Sequence, residues 1–177
     1  YTILFVGSVD VYKDSSDQAL LIPLILALVF VVLVLLLRAF VAPLLLLIAV
    51  VASFFSAIGL SWWLFQSPLF EFPAIDTNVL LFSFLFLVAL GVDYSIFLVT
   101  RAKEEAAHLG TTQGMIRALA ATGAVITSAG ILLAAVFAVL GVLPLITLTQ
   151  IGIIVCIGVL IDLSLYTSDA ADEEDSV

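Results

Sequence analysis

Long apolar runs alternate with short polar breaks along this chain, and the spacing of the breaks sets its architecture. Residues 20–37 form 18 positions without a charge, ending at Arg38. Residues 39–70 carry no charge for 32 positions, and residues 77–92 carry none for 16, up to Asp93. Apolar character then resumes as far as Thr100 and Arg101, and residues 118–161 add 44 more positions with no charge. A helix rises about 1.5 Å per residue and a bilayer's hydrocarbon is about 30 Å thick, so roughly 20 such residues span it. One helix through 118–161 would measure roughly 66 Å, twice that thickness, so it must fold back. Gly141 and Pro144 mark the turn. The pattern predicts an all-α membrane protein with five transmembrane helices, at about 20–37, 43–64, 77–100, 116–140 and 145–165.

The breaks carry their own signals. Pro23 and Pro43 suit first helical turns, where a missing N–H has no intrahelical partner. The paired indoles of Trp62 and Trp63 suggest a membrane–water interface, and residues 66–76, with two prolines, Glu71 and Asp76, read as a loop. Residues 101–117 are the hydrophilic interior segment. Arg101 and Glu105, four apart, followed by Gly110, predict a short surface helix there. Thr111 or Thr112 is placed to cap the next helix, and His108 on the charged helix reads as solvated. Residues 1–7 are expected to form a strand, and 1–18, with Asp10, Asp14 and Asp17, to be the end of a water-exposed domain. The start shows no Met, basic region or cleavage pattern, so the chain is expected to be a fragment of something longer. The acidic residues 167–177 predict a disordered tail.

Composition sharpens this picture. Hydrophobic residues make up 64%, the mean hydropathy is +1.37 and only 11% of residues are charged, against a soluble norm of about 25%. The net charge of −9 is concentrated at the ends, where nine of the 14 acids lie before residue 18 or after 161. Five basic residues supply no patch for nucleic acid. The lone Cys156 excludes an internal disulfide and reads as a small core residue. No cofactor or metal is expected. Arg38, Arg101, Lys103 and Arg117 fall in the breaks after the first and third spans, and Lys13 alone on the other side. The positive-inside bias makes the shared side cytoplasmic, the first residues extracytoplasmic and the tail cytoplasmic.

The candidate chemistry centres on Asp93 and Tyr94. A carboxylate inside or near the edge of the hydrocarbon is disfavoured by several kcal/mol unless paired, hydrated or protonated. A carboxyl beside a phenol suits proton relay, and reversible protonation inside a membrane couples a proton gradient to movement. Asp93 shares a helix face with Phe86, Ala89, Leu90, Phe97 and Thr100, and both Asp93 and Tyr94 are expected to point into the bundle. On the fourth span Gly123, Thr127, Gly130 and Ala134 form a small-residue stripe that favours close helix approach. Thr127, Ser128 and Thr122 are possible supporting polar groups, with back-bonding to their own helix as the alternative for each. Gly152 and Cys156 form a similar stripe on the fifth span. Asp162 is assigned to the interface rather than to chemistry. No Lys, Arg, His or Glu falls within a span, so a counter-group for Asp93 must come from protein outside this chain.

At the stretches FLVALGVDYSIFLVTRAKEE and TGAVITSAGILLAAVFAVL, with LIPLILALVFVVLVLLLRAFVAPLLLL before and LPLITLTQIGIIVCIGVLID after, the chain resembles the C-terminal transmembrane half of MMPL-family transporters of the RND superfamily. The likeness covers about residues 7–162. It implies RND-type helices eight to twelve (residues 19–166), preceded by a short remnant of an extracytoplasmic porter domain (1–18) and followed by an acidic cytoplasmic tail (167–177). It further implies proton-motive-force-driven export of lipids or other hydrophobic molecules across the cytoplasmic membrane, with Asp93 and Tyr94 as relay pair. The partners would be the bilayer, protons, the substrate and the N-terminal half of the same transporter, which carries a second Asp-Tyr pair. The family continues with Thr and a basic residue after the position of Asp162, whereas Leu163 follows here. Two alternatives use the same architecture: a non-transporting scaffold or lipid-sensing module, and a proton-driven protein-secretion accessory. An intramembrane hydrolase lacks a buried nucleophile–base pair.

Overall fold

The computed structural model describes residues 2–174 except positions 69, 71 and 73, with side chains described over 20–164 apart from those three and Leu109. Among the described residues the chain forms five helices and no strand: α1 (Thr2–Leu37), α2 (Val41–Phe65), α3 (Thr77–Leu109), α4 (Thr111–Leu140) and α5 (Ile146–Glu174). Each contains a stretch long and apolar enough to cross a membrane, so this is a multi-pass membrane protein. The expected spans all recur. Two expectations at the ends do not. The strand expected over 1–7 is helical from Thr2, and the tail expected to be disordered is helical as far as Glu174, with 175–177 outside the described residues. A lone strand has no neighbour to take its backbone hydrogen bonds, whereas a helix satisfies its own. The tail residues Ala170, Ala171, Glu173 and Glu174 are good helix formers.

The hydrophilic segment also differs from expectation. Residues 101–109 continue α3 rather than forming a separate surface helix, and Gly110 alone separates α3 from α4. Its φ of 83° is left-handed, a conformation that only glycine adopts freely. No threonine caps α4: Gly110 is its N-cap. One turn later the two helices touch backbone to backbone, since a Cβ on Gly114 would lie 2.5 Å from the amide nitrogen of Ala106. The Asp76 carboxylate caps α3 by accepting from the Asn78 amide at 2.9 Å.

Helix α3 packs against all four other helices, and α5 packs against α2, α3 and α4. Ile154 and Val155 of α5 are fully buried, with Leu87, Val88, Phe54 and Phe137 around them. Phe54 and Phe84 meet edge-on at 5.1 Å, joining α2 to α3, and Phe86 and Phe137 at 5.5 Å join α3 to α4. Helix α1 is peripheral: Leu33 and Leu37 are buried, while Leu20, Leu24, Leu28 and Leu35 are exposed. These outer apolar residues, like those of α2 and α4, are suited to lipid. Trp63 is 71% exposed among these helices, which fits an interface.

Both ends of the bundle are tied. At one end the Lys103 ammonium donates to the Leu37 carbonyl, closing the last turn of α1, and Glu105 lies between Arg101 (2.8 Å) and Arg117 (3.8 Å). At the other, the Gln150 amide, 1% exposed, donates to the Ala74 carbonyl at 2.8 Å and accepts from the Asp76 amide at 3.5 Å. An apolar cavity of about 560 Å³ opens beside that second tie, lined by Phe70, Phe72, residues 141–146 and Thr149.

Candidate functional site

Helix α3 places Asp93 and Tyr94 on neighbouring faces, and the faces meet different surroundings. Asp93 is exposed. It opens onto a cavity of about 320 Å³ between α3 and α4, lined by Leu90, Asp93, Tyr94, Ala129, Leu132, Leu133 and Val136. Within these five helices Asp93 therefore faces outward, against the expectation that it points into the bundle. Tyr94 is half-buried and lines a second, inner cleft with Ile126 and Gly130 of α4 and Val159, Asp162 and Leu163 of α5. Leu98, one turn on, is buried with Ala118, Leu119 and Ile126, fixing the Tyr94 side of α3 against α4.

Asp162 is the residue the sequence undervalued. Two residues from the end of its span, it accepts a hydrogen bond from the Ser53 hydroxyl of α2, and Ser53 is only 5% exposed. Gly91 makes the approach possible. A Cβ there would stand 2.9 Å from a Val50 methyl and 3.6 Å from Asp162 Oδ2, so the bare backbone lets α2 and α5 close on α3. The Ser95 hydroxyl donates to the Gly91 carbonyl at 2.7 Å. Two carboxyls thus flank Tyr94, Asp93 on the outer side and Asp162 on the inner. Asp162 lies within the apolar span Ile146–Ser164, as the expected span 145–165 already had it.

The expected supporting hydroxyls sit elsewhere. Thr122 is 3% exposed and donates to the Ala118 carbonyl at 2.7 Å, and the exposed Ser128 donates to the Val125 carbonyl at 3.0 Å. Both take the back-bonding alternative. Thr127 is half-buried, and none of the three lines the Asp93 cavity. Of the small residues on α4, Gly130 approaches Leu163, where a Cβ would lie 3.3 Å from a methyl, whereas Gly123 has nothing within 4 Å.

The family model described as MMPL family matches residues 2–168. This chain belongs to the MMPL family. Among MMPL relatives, ActII-3 of Streptomyces coelicolor is 54% identical over 155 residues, covering 88% of this chain and 22% of its own length. The apo-petrobactin exporter of Bacillus anthracis is 43% identical over 152 residues, 84% of this chain and 20% of that protein. The sulfolipid-1 exporter MmpL8 of Mycobacterium tuberculosis is 40% identical over 146 residues, 77% of this chain and 13% of that protein. The chain spans about a fifth or less of the length of these curated MMPL relatives.

Proposed function

We propose that these five helices form part of a secondary active transporter, driven by the proton-motive force, that exports lipids or other hydrophobic molecules across the cytoplasmic membrane. The observation that carries the reading is Asp93 beside Tyr94, part-way along a span and open to a cavity on the α3–α4 face. A carboxyl in hydrocarbon with no cation in salt-bridge range among the described residues is stable mainly in protonated or hydrated form. Its outward face leaves it available to helices supplied by the rest of a transporter, where the resemblance implies a second Asp-Tyr pair. Relatives named as exporters of apo-petrobactin and of sulfolipid-1 support export and show that cargo varies within the family. The cargo is then selected outside these helices, in porter domains to which residues 1–18 would lead. No enzymatic step is required.

The orientation follows from charge. Arg38, Arg101, Lys103 and Arg117 cluster at the end closed by the Lys103–Leu37 and Glu105 contacts, which we place in the cytoplasm. The loop at 66–76 and the Phe70–Phe72 cavity then lie on the extracytoplasmic side. The reading is tested with Asp93→Asn in a full-length transporter containing this chain. The expected result is loss of proton-dependent export with expression and membrane insertion unchanged. Export that keeps its dependence on the proton gradient in that variant overturns it.

A further inference from the structure

Arg38 stands where the backbone favours glycine. It lies in the short turn between α1 and α2 with a φ of 47°, and among the described residues no other residue except a glycine has a positive φ. A Cβ makes that conformation costly, so the turn bears a strain that glycine would remove. What it carries instead is a guanidinium, exposed at the end of the bundle. Lys103 of α3 arrives at the same place, because its ammonium donates to the carbonyl of Leu37, the peptide unit that continues into the Arg38 nitrogen. Two cations, brought by the ends of three helices, thus meet at one peptide group. We propose that this turn binds the phosphate of an anionic phospholipid, whose acyl chains run along the exposed Leu35, Leu36, Phe40 and Val41.

Among the described residues no carboxylate pairs with either cation. The acids at this end, Glu104 and Glu105, are engaged with Arg101 and Arg117. Residues 20–37, the turn and α2 contain no acid at all, and α5, whose far end is acidic, does not pack against α1. Two like charges held this close repel each other, and an anion between them turns the repulsion into attraction. The turn lies at the end of two spans, the level at which lipid phosphates sit, and basic pockets between helices on the cytoplasmic side suit anionic headgroups. A guanidinium offers a planar fork of N–H donors to two phosphate oxygens at once. The ammonium, with one proton spent on the Leu37 carbonyl, has two left to give. Phosphatidylglycerol fits these donors because its phosphate has no cation attached, whereas the ammonium of a zwitterionic headgroup is repelled by the pair. The apolar surface just beneath the turn, on peripheral α1 and on α2, favours a phosphate that arrives with hydrocarbon over a free one. A lipid held here would staple the ends of α1, α2 and α3. The site needs only that the chain spans a membrane, and stands whether or not Asp93 carries a proton.

The test is photolabelling of a full-length transporter containing this chain, in neutral detergent, with phosphatidylglycerol that carries a diazirine on one acyl chain. Peptide mapping then locates the crosslink. The expected result is label within residues 31–45 that unlabelled phosphatidylglycerol displaces and phosphatidylcholine does not. Arg38→Gly removes the charge and relieves the backbone, while Lys103→Gln removes the charge and keeps a donor for the Leu37 carbonyl. Each should lower the label in this segment about fivefold, the worth of one cation at an anionic surface. Thermal unfolding followed by circular dichroism should find Arg38→Gly no less stable than wild type, which a merely structural guanidinium would not allow. Raising the salt from about 0.1 to 1 M should also weaken the label, as the screening length falls from about 10 to 3 Å. Label that survives both variants, or that phosphatidylcholine displaces equally well, is ordinary hydrocarbon contact and overturns the proposal. Label displaced by inorganic phosphate alone overturns the lipid as ligand, and absence of label from this segment in wild type shows the turn covered by another part of the transporter and overturns the site. If Arg38→Gly fails to insert, unchanged labelling of Lys103→Gln refutes the proposal by itself.

Discussion

Gly152→Ala should loosen the junction of α4 and α5, and the reason is visible atom by atom. A Cβ at position 152 would lie 2.6 Å from the Gly141 nitrogen, 2.7 Å from the Phe137 oxygen and 3.0 Å from the Gly141 Cα. Comfortable contacts are about 3.5–4.0 Å, so the two helices must part by roughly 1 Å. All three obstacles are backbone and none can rotate aside. The same atoms form the last hydrogen bond of α4, Gly141 N–H to Phe137 C=O at 2.9 Å. Overpacking of this kind costs about 1–3 kcal/mol, and weakening that bond about 1 kcal/mol more. The gain in helix propensity of Ala over Gly returns about 0.5–1 kcal/mol. The net is a destabilisation of about 1–3 kcal/mol. Gly123→Ala is the control, because nothing lies within 4 Å of a Cβ there. It keeps only the propensity gain of about 0.5–1 kcal/mol. Reversible unfolding in mixed detergent–SDS micelles, followed by the fluorescence of Trp62 and Trp63, compares the two. A Gly152→Ala protein as stable as Gly123→Ala would refute the close packing of α4 on α5.

Two further outcomes follow from the tie points. Gln150→Leu keeps volume but strands the Ala74 carbonyl and the Asp76 amide, so stability should fall by about 1–3 kcal/mol and hydrogen exchange at Asp76 should accelerate; unchanged exchange would count against the tie. Gly110→Ala meets no atom within 4 Å, so its whole cost is the left-handed backbone, about 1–2 kcal/mol. The Gly110 ψ of 167° lies outside the left-handed helical well that Asn tolerates, so Gly110→Asn should lose as much, and a stable Gly110→Ala protein would exclude a backbone origin.

The five spans were legible because hydrocarbon leaves so few options: an uncharged run of about 20 residues has to be a helix. Helix ends were less so. Residues 101–109 are polar enough to suggest a separate surface helix, yet nothing in RAKEEAAHL breaks α3 before Gly110. The relay pair could be found because a carboxyl stands out in an apolar run. What the sequence withheld was direction. Asp93 and Tyr94 sit 100° apart, and only the packing of α4 decides that one faces outward and the other inward. Asp162 was misjudged for a related reason. Placed near the cytoplasmic end of the fifth span, it reads as interfacial, but α5 continues to Glu174 and α2 brings Ser53 against it. A serine in an uncharged run gives no sign of what it will meet across 109 positions of sequence.

The single-residue joint at Gly110 has a mechanical consequence. Helices α3 and α4 are two stiff rods pinned together at one end with no slack, pressed backbone to backbone just beyond the pin at Gly114 and Ala106. The 30 residues of α4 make an arm about 45 Å long. A swing of about 5° at the pin would carry its far end about 4 Å, while the level of Tyr94, roughly 24 Å along, would travel about half as far. Such a hairpin is built like tongs: a small displacement at the level of Asp93, Tyr94 and Asp162 would be doubled where α4 meets the cavity beside Phe70 and Phe72.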